Sequence, residues 1–173
     1  MSEQSKNIDI IKDTEKSKHK DDSFIDFVKK LDLSIKSDFV GADLTGIDFG
    51  GNDLRDADLK NANLCGANFA YANLSGADFN CANLKNANLL KAKLTGVNFS
   101  FAELAGANLK YSQLSNANFI FAELSGINFE GANVKNARFG YNSGICESAK
   151  RDLIGRGAIF EDQRRKLAPN KLG

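Results

Sequence analysis

Between Ser37 and Tyr141 the large apolar residues return at every fifth position. Written in fives from Ala42 the chain reads ADLTG IDFGG NDLRD ADLKN ANLCG ANFAY and so on to ARFGY, twenty units without an insertion, with SDFVG at Ser37 as one more. The third position is Leu twelve times, Phe seven times and Val once; the first is Ala in fifteen units, the second Asn or Asp in fifteen, the fifth Gly in eight. A helix places apolar residues at intervals of three and four, and a strand at every second position, so neither period fits. A period of five with a small residue two before a large one describes a chain that turns a corner every five residues. Four such sides close a square coil of twenty residues. Successive coils then stack at about 4.8 Å with backbone hydrogen bonds along the axis. The third and first positions point inward, while the second, fourth and fifth face water.

A twenty-residue coil requires residues twenty apart to resemble each other, and they do. One inward column is Leu44, Leu64, Leu84, Leu104 and Leu124; a second is Phe39, Leu59, Phe79, Phe99, Phe119 and Phe139. A third runs Leu54, Leu74, Leu94, Leu114 and Val134, and a fourth Phe49, Phe69, Leu89, Leu109 and Phe129. Each such side chain contributes about 1.5–3 kcal/mol when fully buried, so the columns predict a sizeable core.

The tandem A(D/N)LXX pattern resembles the pentapeptide-repeat family, in its cyanobacterial type. The resemblance covers residues 37–141 and implies an all-β solenoid, a right-handed quadrilateral β-helix of about five coils. A solenoid exposes unpaired backbone and core at both ends and needs caps. Residues 22–36 are the expected N-terminal capping helix: Asp22 or Ser23 suits an N-cap, and Phe24, Phe27, Val28 and Leu31 fall at i, i+3, i+4 and i+7 on one apolar face. The repeat proper spans 37–146. Residues 147–160 form a helical and irregular C-terminal cap, with a helix from Glu147 that Gly155 stops and the apolar Gly157–Phe160 returning to the last coil. DLIGRGAIFED looks like the C-terminal tail of many cyanobacterial members of the family. Residues 1–21 read as a disordered polar tail and 161–173 as a basic one.

Charge is nearly balanced, 23 basic against 22 acidic residues, so nothing pulls the whole chain toward nucleic acid or an anionic membrane. No apolar run approaches the ~20 residues of a membrane span, and the N-terminus lacks the apolar core of a signal peptide. The three cysteines match neither a disulfide framework nor a zinc site; free thiols in a reducing cytoplasm are expected, with Cys146 packed near the cap. The one histidine, His19, lies in the polar tail, and no Ser/His/Asp or Cys/His arrangement assembles within the rod. No glycine-rich phosphate loop is present. Asp43, Asp48, Asp53 and Asp58 lie on four different sides and cannot converge on one ion. Asp38, Asp58 and Asp78 share a column, read as a solvated face. The reading is of a chain with no enzymatic activity, no cofactor and no metal site. The column Asn68, Asn88, Asn108 and Asn128 reads as a side-chain amide ladder.

Function is then left to the surface. Corner positions are mostly Gly, Asn or Asp, as tight turns prefer, but one corner breaks that rule with Phe101, Phe121 and Tyr141. Glu103 and Glu123 stand beside it, and the opposite corner carries Tyr71, Lys91 and Tyr111. Exposed stacked aromatics suit protein contact, which makes Phe101, Glu103, Phe121, Glu123 and Tyr141 a candidate docking surface. The expected function is a regulatory or scaffolding interaction module with an unidentified protein partner. Some family members act in this way, as regulators of cyanobacterial differentiation. The alternative that the resemblance implies is DNA mimicry toward DNA gyrase, with quinolone protection, by a strongly acidic rod. Residues 37–146 carry ten acidic and eight basic residues, a net of −2, and Lys85, Lys91, Lys93, Lys110, Lys135 and Arg138 interrupt any anionic face. Direct binding to nucleic acid or membrane is not expected. Family members that dimerise often do so end to end, but the C-terminal cap occupies that end, so a monomer is favoured over a homodimer.

Overall fold

A computed structural model describes Val28 and residues 34–161. Within it the five-residue period becomes a corner, set by two hydrogen bonds. In the unit around Leu64, the Ala67 N–H donates to the Leu64 carbonyl at 3.0 Å, closing a four-residue turn whose third residue, Gly66, has φ +68°. A turn of this type needs φ > 0 at that residue, which is why the fifth position favours Gly and Asn. The Gly66 N–H then donates to the Lys85 carbonyl of the next coil at 2.8 Å.

From coil to coil it is the second position of each side that is bridged to its neighbour. Parallel bridges link Asp43, Asn63, Asn83, Glu103, Glu123 and Ser143 in one column, and Asp58, Asp78, Asn98, Asn118 and Arg138 in another, each partner twenty residues on. The Leu64 N–H donates down to the Asn83 carbonyl (2.7 Å) while the Asn83 N–H donates up to that of Ala62 (2.9 Å). The side chains at this position depart from the expectation that they simply face water. Asn63, Asn68, Asn88 and Asn108 are half-buried. Asn108 Nδ2 donates to Asn88 Oδ1 (3.2 Å), Asn88 to Asn68 (3.0 Å), and Asn68 to Asp48 (2.7 Å), while the Oδ1 of Asn88 also accepts the Leu90 N–H (3.2 Å). One amide thus braces both its own corner and the coil behind it. Ser100, a fourth-position residue, is likewise buried, under the Asn80 amide (2.9 Å).

The core is the interior of the square. Leu44, Leu64, Leu84, Leu104 and Leu124 are buried, as are Phe79, Phe99, Phe119 and Phe139. The inner phenylalanines stack along the axis with centroids 5.2, 5.1 and 4.8 Å apart. First-position alanines such as Ala87 and Ala107 are fully buried at the turns. Ser112 stands in one of these sites and satisfies its hydroxyl on the Leu109 carbonyl at 2.7 Å.

At the C-terminal end the coil pattern is carried on by other means. Strand β1 (Arg138–Phe139) is followed by helix α1 (Glu147–Gly155) and strand β2 (Ile159–Phe160). β2 pairs in parallel with β1, Arg138 opposite Ile159, an interval of twenty-one. Ala158-Ile159-Phe160 therefore imitates one more side: Phe160 stacks on Phe139 at 4.9 Å, and Leu153 of α1 is buried. Two polar side chains replace the hydrogen-bond donors of the missing coil. Asn142 Nδ2 donates to the carbonyls of Phe119 and Ala122. Arg156 Nη1 donates to those of Phe129 and Ala132 at 3.0 Å each, and its Nη2 pairs with Asp152 at 2.7 Å.

At the other end, Val28 is helical and buried in the same core. Its expected companions Phe24, Phe27 and Leu31 lie outside the described residues, as do both expected tails except Glu161. Among the described residues no helix is long and apolar enough to cross a membrane.

Arg156→Met keeps an unbranched apolar stem but leaves the Ala132 carbonyl without a donor. A hydrogen bond to a charged group contributes about 2 kcal/mol, and urea unfolding followed by circular dichroism should show a loss of about that size.

Candidate functional site

Each corner offers one side chain to solvent from a backbone that L residues rarely adopt. Phe101, Phe121 and Tyr141 hold φ of 59°, 63° and 54°, where glycine is favoured and a bulky residue pays about 1–2 kcal/mol. Their rings stack in near-parallel pairs, with Phe101–Phe121 centroids 4.8 Å apart at 10° and Phe121–Tyr141 5.0 Å apart at 13°. They nonetheless remain 54, 46 and 50 % exposed. The stacking follows from the fold, because side chains on one corner repeat at the coil spacing of about 4.8 Å. Ring faces are turned toward one another, so the corner presents a strip of aromatic edges about 10 Å long.

The flanking acids have partners of their own. Glu103 pairs with Lys85 at 2.7 Å, and that hydrogen bond raises the Lys85 ammonium above its ordinary range. Glu123 accepts the Ser125 N–H at 2.8 Å. The structure thus brings Phe101, Phe121 and Tyr141 into one strip with Glu103 and Glu123 along one side of it. The Lys85 contact is one the sequence reading missed. Its signal is an interval: Lys85–Glu103 and Lys60–Asp78 are both eighteen apart, the step from a fourth position to the second position of the next coil.

At the opposite corner the groups engage each other. Lys91 Nζ lies 5.5 Å from the Tyr71 ring centroid, and the Tyr111 hydroxyl donates to Glu130 (3.3 Å). The Tyr111 ring occupies the space that a Cβ on Gly131 would need. The acidic column is neutralised rather than open, with Lys60 Nζ between Asp58 (3.1 Å) and Asp78 (3.4 Å). Arg55 binds Asp53 through two nitrogens and so holds its carboxyl below the usual range. Among the described residues no three His, Cys, Asp or Glu side chains converge as metal ligands.

Cys65, Cys81 and Cys146 are free. Cys146 is exposed, which corrects the expectation that it packs near the cap. It immediately precedes α1, with Sγ 3.1 Å from Ser148 Oγ, a contact that lowers its thiol pKa.

The family model for the pentapeptide repeat region matches residues 35–109, and that for pentapeptide repeats in eight copies matches 112–140. Among solved structures, a pentapeptide repeat protein from the Arabidopsis thaliana thylakoid lumen is 33 % identical, over 69 % of this chain and 81 % of that one, with a TM-score of 0.49. A pentapeptide repeat protein from Nostoc Pcc 7120 is 30 % identical over 66 % of this chain and 84 % of that one (TM-score 0.33). QnrB1, a plasmid-mediated fluoroquinolone resistance protein, is 18 % identical over 78 % and 89 % (TM-score 0.31). No curated protein matches the chain.

The aromatic corner and the inner column should respond differently to truncation. Phe121→Gly relieves the positive φ but forfeits two stacking contacts of about 0.5–1.5 kcal/mol each. Its unfolding free energy should change by less than about 1.5 kcal/mol. Phe119→Ala, two residues earlier and fully buried, should lose about 3–5 kcal/mol; equilibrium unfolding of both variants makes the comparison.

Proposed function

The chain belongs to the pentapeptide-repeat family, and from that premise we propose that it is a non-enzymatic interaction module whose aromatic corner docks a protein partner. In this reading residues 37–146 form a right-handed rod of about five coils, with 22–36 and 147–160 as its caps. The observation that carries it is the use of strained corner positions for large exposed rings. Equivalent corners take Gly66, Gly76 or Asn86, so the fold has an easier residue available. Phe101, Phe121 and Tyr141 supply flat, rigid apolar area with little side-chain entropy to lose on binding, the kind of surface that dominates protein interfaces. Beside the strip Glu103 is already paired with Lys85, so Glu123 is the acid left to favour a basic residue of the partner next to its apolar contact.

Charge argues against a duplex-mimicking rod. Such a surface needs an unbroken anionic face, whereas Lys60, Lys85 and Lys110 each sit on an acidic neighbour. The proposed compartment is reducing and cytoplasmic, in keeping with three unpaired cysteines. The proposed state is a monomer, since α1 and β2 occupy the end through which rods would stack.

The test is affinity capture from the native host with the wild-type chain and with Phe101→Asn plus Phe121→Asn, asparagine being the residue that Asn86 and Asn116 already place at such corners. A partner retained by the wild type and reduced about tenfold by the folded double variant supports the docking strip. Equal recovery by both would remove it.

A further inference from the structure

Three sides of the last coil keep a backbone bond to the segment that follows, through Leu124 N–H to Ser143 O (2.9 Å), Asn136 N–H to Gly157 O (2.8 Å) and Ile159 N–H to Ala137 O (2.8 Å). The Gly126 and Val134 N–H groups have no partner among the described residues, and the second side keeps no such bond. On the second side of each earlier coil, three backbone groups bind the coil below: Leu109 N–H to Asn128 O (2.9 Å), Tyr111 N–H to Glu130 O (2.8 Å), and Ala107 O from Asn128 N–H (3.1 Å). One coil on, the equivalent groups are the Phe129 N–H, the Gly131 N–H and the Ile127 carbonyl. None of the three has a hydrogen-bond partner among the described residues. Arg156 closes this edge only at its far end, on Phe129 O and Ala132 O.

An open cleft of about 500 Å³ lies against this edge. Ile127, Phe129 and Ala132 form one wall, and Ala149, Leu153 and Arg156 the other. The core shows through here. Phe129 is 8 % exposed, whereas Phe69, Leu89 and Leu109 above it in the same column are at 0 %. Unpaired donors and an acceptor at strand spacing, beside an apolar floor, are what an added β-strand satisfies.

What already lies at this end selects the occupant. β2 stands below the fourth side and α1 borders the cleft, so a second rod cannot approach flat, and the free backbone is that of one five-residue side. The coil register dictates the strand's pattern. Its first residue lies under Ile127 and must be small, its third lies under Phe129 and must be large and apolar, and its second supplies the N–H and C=O that Ile127 and Phe129 lack. The fourth lies under Glu130, an acid that pairs with Lys110 from the coil above at 2.6 Å, and across the cleft stands Asp152, itself paired with Arg156 at 2.7 Å. A lysine at that place is the complementary choice.

We propose that the open edge Ile127–Gly131 is a second interaction site, which takes one extended strand of a partner protein with the pattern small–X–Leu/Phe–Lys, added in parallel as a substitute coil side. The site is separate from the aromatic corner, and each stands or falls without the other.

The probe is the acetylated peptide Gly-Ala-Asn-Leu-Lys-Tyr, the sequence that occupies the same side one coil earlier at 106–111, titrated into the full ¹⁵N-labelled chain. Saturable binding is expected below about 2 mM, with the largest amide shifts at Phe129 and Gly131 and slowed hydrogen exchange at both. Methylating the peptide's Asn amide nitrogen removes the donor to Ile127 O and should weaken binding about tenfold. Ala149→Trp fills the cleft and should abolish it. Absence of saturation overturns the proposal, as do shifts centred elsewhere or binding indifferent to N-methylation. A dimer that Ala149→Trp dissolves would also overturn it, by making a second copy the occupant.

Discussion

Everything in this molecule depends on one hydrogen-bonded turn repeated at every fifth residue. The carbonyl of each inward large residue accepts the N–H three positions on, as Ala67 does to Leu64, and the chain leaves the turn at right angles to its entry. Four turns bring the backbone back beneath itself, so the stacking bonds between coils need no long strands. The turn also dictates composition: a small first residue that fits inside it, and a fifth residue able to hold φ > 0.

Once the coils stack, side chains of one kind meet their own kind. Inner phenylalanines stack on phenylalanines and asparagines bond to asparagines, each repeat packing only on its neighbours. The difficulty is displaced to the ends, where a coil has no successor. Here the solution is a set of substitutes: β2 for a strand, Phe160 for a core ring, and the Asn142 amide and Arg156 guanidinium for backbone donors. Among the described residues the substitution is least complete at Ile127–Gly131, where no backbone bond takes the place of those in the coils above.

The functional reading follows from the same economy. A fold that accounts for its third, first and most of its second positions leaves the corners and fourth positions to selection by other demands. Phe101, Phe121 and Tyr141 stand where the fold asks for glycine or asparagine, which is the physical ground for treating them as a surface made for contact. The cluster of aspartates near the start looks equally suggestive in one dimension. In three, Arg55 holds Asp53 and Lys60 lies between Asp58 and Asp78, while Asp43 and Asp48 accept hydrogen bonds from Asn63 and Asn68.

The period of five, written in Leu, Phe and Ala, determined the square coil and its inward columns, and the asparagines of the second position determined the amide ladder, because in a solenoid the contacts of residue i are set by residues i ± 20 and can be counted along the chain. The stacking of Phe101 on Phe121 was legible for the same reason. Only the tertiary structure decided what lies off that count. It half-buried the second position, exposed Cys146 and paired Lys85 with Glu103 across eighteen residues. It seated Phe160 on Phe139 at an interval of twenty-one, after the nine-residue helix α1. It also left the Phe129 N–H, the Gly131 N–H and the Ile127 carbonyl without a partner among the described residues, since a hydrogen bond that is missing depends on where the next segment runs, and no residue in the Ile127–Gly131 repeat itself records that.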